Sequence, residues 1–246
     1  MRYWSRILAL LLAVLLCIPL FSCTGDKLIA QPEKTTEGVL NWAGRGKEEK
    51  NSTPEPEMYP LTFGLGTGDS SLPRTYMNPY FNLRFDLDHD WFVYATREID
   101  SQNGFREATM ESRKEKYMDY LSSGKAVSDF FAQSNSGLMS IGVHVAYWME
   151  DRQPGEDITA YCERFVQVLR SSFPKNDIQL IDDVLSKATV AGESWPCWYF
   201  SYDIEGCTTY YADVFMQNGD YMLILDFGCM GKDYNRELFE LVEKIH

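Results

Sequence analysis

Residues 195–204 (WPCWYFSYDI), 207–216 (CTTYYADVFM) and 221–227 (YMLILDF) decide the fold. Each run is rich in aromatic and β-branched residues, which suit strands. Between them stand Glu205-Gly206 and Asn218-Gly219. Asn-Gly between apolar runs is the strongest short hairpin signal, so the three runs read as an antiparallel meander. With these pairs at the turn centres, Cys197 faces Val214 and Phe215 faces Met222. One face then carries Cys197, Tyr199, Tyr210, Ala212, Val214, Leu223, Leu225 and Phe227. The other carries Trp198, Phe200, Tyr202, Tyr211, Phe215, Met222 and Ile224. Both faces are apolar or aromatic, so both need covering. The expected class is α+β, an antiparallel sheet flanked by helices on both sides.

The segments around the meander supply those covers. Ile158, Tyr161, Cys162, Phe165 and Leu169 recur at helical spacing. Asp157 is placed to cap their helix, and Pro174 stops it. Residues 104–121 read as a second helix, with Met110, Tyr117 and Leu121 on one side and Gly124 at its end. Residues 233–245 read as a third, with Leu238, Leu241, Val242 and Ile245 together. Residues 128–133 and 138–149 flank Asn135-Ser136-Gly137 as a second hairpin. Residues 178–190 are strand-like but patchy. Residues 81–87 (FNLRFDL) alternate as a half-buried strand. Residues 91–95 are expected to be its hairpin partner across Asp88-His89-Asp90.

The first 22 residues carry an address. A short basic start precedes residues 7–21 (ILALLLAVLLCIPLF), which are apolar throughout. Fifteen residues fall short of the ~20 of a spanning helix and fit a secretory signal. Leu20-Phe21-Ser22-Cys23 resembles a bacterial lipobox. Its chemistry needs Cys23, whose thiol accepts a diacylglyceryl group and whose amine becomes the new N-terminus. Acyl chains contribute about 0.8 kcal/mol per buried methylene, so a multiply acylated cysteine anchors stably. The reading is residues 1–22 as signal peptide, 23–57 as lipidated cysteine and tether, and 58–246 as one domain. The tether composition cannot bury enough apolar surface to fold. As a coil it spans about 30–35 Å. Val39, Leu40 and Trp42 form a small apolar spot within it.

The formal charge of −13 sits mostly in the domain. Residues 24–57 hold 7 acids and 5 bases, and residues 58–246 hold 29 acids and 16 bases. Such a surface does not grip a nucleic-acid backbone, which needs a basic face. It is also repelled by anionic lipid, so attachment to the extracytoplasmic membrane face falls to the lipid.

The run Tyr76-Met77-Asn78-Pro79-Tyr80-Phe81-Asn82-Leu83-Arg84-Phe85, followed by Trp91, resembles the opening of small lipoproteins of Gram-positive, Clostridia-type bacteria. Those domains are similar to the PsbP-like fold, named from an extrinsic photosystem II subunit. The resemblance implies an antiparallel sheet sandwiched by helices over most of residues 74–246. In this chain Asp88 replaces the usual proline, and His89-Asp90 replace an acid–glycine pair. No functional residue of the photosynthetic proteins has a matching motif, and no cofactor is implied.

Several constellations are candidate sites. Asp86, Asp88 and Asp90 offer clustered oxygens to a metal such as calcium, or form a solvated strand end. Asp213 and Asp226 lie diagonally on the aromatic face near Tyr202 and Tyr211. They suit acid–base or glycan-binding work if their environments separate their pKa values, or simple hydrogen bonds to those tyrosines. His144 is either a packed strand histidine or the base of a pair with Cys197 or Cys162. The glycines of residues 64–68 lack the following helix and Lys-Ser/Thr of a phosphate loop. With Cys17 in the leader and Cys23 lipidated, Cys162, Cys197, Cys207 and Cys229 remain. Export permits disulfides. Cys207 and Cys229 fall on neighbouring strands one residue out of phase, and a bulge at Gly228 would join them; buried thiols are the alternative.

These features point first to a tethered, non-catalytic module that binds a protein, a glycan or an envelope component. The alternatives are an enzyme acting on extracellular polymers through its sheet carboxylates, and an accessory subunit of a membrane complex.

Overall fold

The computed structural model describes residues 59–62, 74–105, 110–150, 152–173, 178–204 and 206–245. The leader, Cys23, the linker with its apolar spot and the 64–68 glycine loop lie outside them. In chain order the elements are β1 (Thr75–Asn78), β2 (Leu83–Asp86), β3 (Trp91–Val93), α1 (Thr96–Gln102), α2 (Met110–Ser122), β4 (Val127–Ser134) and β5 (Met139–Tyr147). After a 3-10 turn at Trp148–Glu150 come α3 (Ile158–Arg170), β6 (Leu180–Val190), β7 (Glu193–Ile204), β8 (Cys207–Asn218), β9 (Tyr221–Met230), α4 (Asn235–Phe239) and β10 (Val242–Lys244).

Seven strands form one antiparallel sheet in the order β3-β4-β5-β9-β8-β7-β6. The meander is its centre, and its two faces divide as the alternation requires. Cys197, Ala212, Val214, Leu223, Leu225 and Phe227 belong to one core, with Tyr199 and Tyr210 packed against it. A three-stranded sheet in the order β1-β2-β10, with α2 and α4, covers that side. Trp198, Phe200, Tyr202, Tyr211, Phe215, Met222 and Ile224 belong to the other core. There α3 buries Tyr161, Cys162, Phe165, Val166 and Leu169. Asp157 caps α3, its carboxylate accepting the Ala160 N–H at 2.9 Å. α1 adds Ile99 against Phe131 at the far end of that face. No helix of the described residues is long and apolar enough to cross a membrane.

Four expectations are corrected. Residues 91–95 are not the hairpin partner of 81–87: β2 pairs with β1 and β10, whereas Trp91 pairs with Ser134 of β4. The turn at Asp88-His89-Asp90, where Asp88 Oδ1 accepts the Asp90 N–H, passes the chain from the small sheet to the large one. The hairpin turn of β2 precedes it instead, at residues 79–82, with Asn82 in the left-handed region. Second, the helix expected over 104–121 is described from Met110 as α2, and a further helix, α1, precedes it at Thr96–Gln102 where no helix was expected. Gly104 lies between them at φ 77°, a value that ends a helix and suits glycine. Third, residues 233–245 are a single turn-and-a-half of helix followed by β10, because Val242 pairs with Phe85. Fourth, the second turn of the meander centres on Gly219-Asp220, so Asn218 pairs with Tyr221. Asn218 is held in the strand by Tyr80: its side chain donates to the Tyr80 carbonyl, and its own carbonyl accepts the Tyr80 hydroxyl. That shift is two residues, so the faces are unchanged and only the partners move. The patchiness of residues 178–190 has a plain cause, since β6 is an edge strand.

Candidate functional site

The two-residue shift brings Asp213 and Asp226 directly opposite each other on β8 and β9. Directly opposed residues have Cβ atoms about 4.5–5.5 Å apart. Asp213 keeps 4% exposure and Asp226 keeps 5%. Continuing across the same row, Trp198 faces Asp213 and Gly142 faces Asp226. The next inward-facing residue along β5 is His144, opposite Ile224. The non-local neighbour relation between β5 and β9 therefore joins two sequence candidates, the aspartate pair and the histidine, on one buried patch.

Glycine makes that patch possible. A methyl at Gly142 would lie 3.1 Å from His144 Nε2 and 3.5 Å from Asp226 Cβ. At Gly228 it would lie 2.6 Å from Ser140 Oγ and 3.1 Å from the Tyr211 ring. Glycine inside a strand marks such close approach, and these two were the signal available in the sequence. His144 is held from behind. Its Nδ1 is 3.0 Å from Ser128 Oγ. The Ser128 backbone is clamped by Asn103, which accepts the Ser128 N–H and donates to its carbonyl. His144 Nε2 has no partner among the described residues.

No donor among the described residues is hydrogen-bonded to either carboxyl group. The tyrosines do not serve: the Tyr202 hydroxyl donates to Tyr211 at 3.2 Å instead. Nor do the arginines of α3. Arg164 is paired with Glu156 and Arg170 with Asp183. Burial, and then the field of Asp226, push Asp213 well above the usual carboxylate range. Burial pushes Asp226 up to about 7 and His144 down to about 4. Burial also raises the Tyr202 and Tyr211 phenols, and both aspartates add to that rise. At neutral pH the patch is thus a neutral imidazole beside a carboxyl pair that keeps at least one proton. Such a pair titrates as a unit.

The other candidates are scattered. Asp86 is engaged by Thr75 and Arg84, Asp88 turns back on the Asp90 N–H, and all three acids are exposed. Among the described residues no group of three or more Asp, Glu, His or Cys is gathered for a metal ion. Cys197 lies on the opposite face of the sheet from His144, so those two cannot pair. The Cys162 thiol is pushed up by burial in the α3 core. Cys162, Cys197, Cys207 and Cys229 are all thiols. Tyr210, not Cys207, faces Cys229, and β8 and β9 pair without a bulge at Gly228, so the geometry required for a Cys207–Cys229 bridge is not formed. Trp91 and Trp198 are buried, and Trp195 is packed against the face opposite Trp198. The three therefore do not line one groove.

No family model and no curated protein matches the sequence. Among solved structures the chain is similar to the solution structure of cyanobacterial PsbP (CyanoP) from Synechocystis sp. PCC 6803. The identity is 10% and the TM-score 0.43, over 74% of this chain and 99% of that one. It is also similar to LpqN, involved in cell envelope biogenesis of Mycobacterium tuberculosis. There the identity is 12% and the TM-score 0.30, over 65% of this chain and 82% of the other.

Proposed function

We propose that this chain is a lipid-anchored bacterial lipoprotein, held on the extracytoplasmic membrane face through Cys23, whose domain works by binding. The observation that carries the reading is the order of the N-terminal features. A basic start, fifteen apolar residues and Ser22-Cys23 come first, followed by a polar stretch of 34 residues before the domain. The tether gives the domain reach, and the acidic surface keeps it off anionic lipid.

Binding is preferred to turnover because of where the reactive groups sit. A polymer chain does not reach carboxyls that keep 4% and 5% exposure. Ser128, the hydroxyl nearest to His144, is itself fully buried. A nucleophile must meet its substrate, and this one faces the core. The service of such a module to a membrane complex is the same activity seen from the partner's side.

Cys23→Ser tests the anchor. The wild-type chain is expected in the membrane fraction, labelled by a palmitate analogue. The variant is expected in the soluble fraction or as an unprocessed precursor, without label. A variant that stays membrane-bound and labelled overturns the reading.

A further inference from the structure

An open sheet ends in two edges, and each edge is a row of unpaired backbone N–H and C=O groups. The two edges of the large sheet are treated differently. At one, β3 pairs with β4 over only three residues, and further along β4 the edge is closed by other means. The Tyr94 N–H donates to the Phe131 carbonyl at 3.0 Å, and Asn103 engages both the N–H and the carbonyl of Ser128. At the other edge β6 runs for 11 residues, Leu180–Val190. Among the described residues it pairs only with β7. It also carries Ile181 and Val184, at 54% and 56% the most exposed large apolar side chains described. A long free edge with apolar side chains is a template for another strand.

We propose that β6 is a docking edge for β6 of a second copy of this chain, so that two large sheets join antiparallel across a twofold axis. Symmetry restricts the pairing. A twofold axis normal to the sheet keeps each face on its own side, so facing residues lie an even number of places apart. When β6 overlaps its copy from end to end, Leu185 faces itself, Val184 faces Ser186, and Asp183 faces Lys187. The axis makes the last contact twice. Directly opposed residues have Cβ atoms about 4.5–5.5 Å apart, and opposite charges there are stabilising. No like charges meet in this register, since Asp182 faces Ala188. Moving the axis to Val184 or Ser186 puts Asp183 opposite Leu185 or Thr189 and loses both contacts. Moving it to Asp183 or Lys187 sets like charges face to face, which is destabilising. The charge pattern of the strand therefore selects its own copy as partner, in one register.

The single chain holds these groups ready. Lys187 is exposed and has no ion pair among the described residues. Asp183 is fixed in place by Arg170 and by the Trp198 indole N–H at 2.7 Å, and 28% of its side chain stays exposed. The ladder also has natural ends. The register of β6 on β7 shifts between Leu180 and Asp182, and such an irregularity terminates pairing. At the other end Ala191 and Gly192 turn the chain back at φ 51° and 74°. Residues 182–188 are therefore the paired core. Because the second edge of the sheet is already closed, joining β6 to β6 uses up the free edge and stops at two copies.

The association does not depend on the lipid anchor. The test uses the full chain in detergent micelles, its mass read by sedimentation in density-matched buffer over a range of protein concentrations. A dimer that dissociates on dilution is expected. Lys187→Glu sets acid against acid at both contacts and is expected to weaken the dimer about tenfold or more. The register has its own readout. Val184→Cys mixed with Ser186→Cys is expected to give a disulfide-linked pair on mild oxidation, in higher yield than either variant alone, with the wild type as control for Cys207. A monomer at every concentration overturns the proposal. So does a dimer whose affinity Lys187→Glu leaves unchanged, or a crosslink no better in the mixture than in the single variants. A monomer whose β6 amides are protected from hydrogen exchange overturns it as well, and gives the edge to another segment of the same chain. If Lys187→Glu does not fold, the cysteine mixture decides. The anchor is tested by fractionation and this contact by mass, so the failure of either leaves the other standing.

Discussion

Two pairs of buried aspartates lie in the same domain under opposite conditions. Asp100 accepts both Arg113 Nε and Nη2 at 2.8 Å and the Tyr117 hydroxyl at 2.7 Å. Asp129 accepts the Thr62 N–H at 2.9 Å and the Tyr76 hydroxyl at 2.8 Å. Asp213 and Asp226 are also buried, and neither accepts a hydrogen bond from a described residue. The first pair ties α1, α2, β1 and β4 together. The second pair holds nothing together and works against the sheet that carries it. A carboxylate buried with donors is a fastener, and a carboxyl buried without them keeps its proton instead.

The largest effect expected is at the fastened pair. Asp100→Ala leaves the Arg113 guanidinium buried without its carboxylate, which costs about 3–5 kcal/mol. Urea unfolding followed by tryptophan fluorescence reads this as a lower midpoint with the same slope. If the midpoint does not move, Asp100 is not a fastener and the contrast fails.

At the unfastened pair the sign reverses. Asp226 has its pKa raised to about 7 in the folded state, against about 3.9 in an unfolded chain. Over that window the folded state holds the proton that the unfolded state has lost, so stability falls as pH rises from about 4 to 7 and stays low above it. Asp226→Asn removes this loss. It is expected to stabilise the protein at pH 8, by at most about 4 kcal/mol, and to do little at pH 4. A variant less stable than wild type at pH 8 would mean that the carboxylate has donors.

His144 sharpens the same contrast from the other side. Its pKa is lowered to about 4 in the fold, against about 6.5 unfolded. The unfolded chain binds the extra proton here, so stability is lost as pH falls from about 6.5 to 4. The two slopes oppose each other over much of one window and flatten the wild-type profile. In His144→Gln the alkaline fall should stand alone, steeper by about 1.4 kcal/mol per pH unit. In Asp226→Asn the acid fall should be exposed. Thermal midpoints every half pH unit distinguish these shapes; identical curves would refute the assignment of both groups.

The smallest effect is at Gly228. A methyl there meets Ser140 Oγ, which can rotate away, and the Tyr211 ring, which is stacked on Phe200 and Tyr202. Gly228→Ala should cost about 1–3 kcal/mol as overpacking, with no change in the pH profile. A changed profile would place Gly228 among the groups that set the aspartate protonation.

What was legible in the sequence followed parity. A two-residue slip at Asn218-Gly219 leaves every side chain on its expected face, so the two cores were readable although the partners were not. The direct opposition of Asp213 and Asp226 was hidden by that slip, which arises from the long-range hold of Tyr80 on Asn218. His144 joined the pair through β5 and β9, neighbours that no local pattern announces. The small sheet was illegible for a related reason. Its strands are three or four residues long, and Leu238, Leu241, Val242 and Ile245 have helical spacing although Val242 belongs to β10. Pairing with Phe85 outweighs that local preference.

The pairing of β10 with β2 sets a timetable. The middle strand of the small sheet is made early in synthesis, and one of its two edges is the last strand described. Until residues 242–244 are released, β2 has β1 on one side and nothing from β10 on the other. Closing so long a loop is entropically slow. The cover over the core beneath the small sheet therefore completes only after residues 242–244 have been made, and a chain without them is expected to leave that side unable to shut.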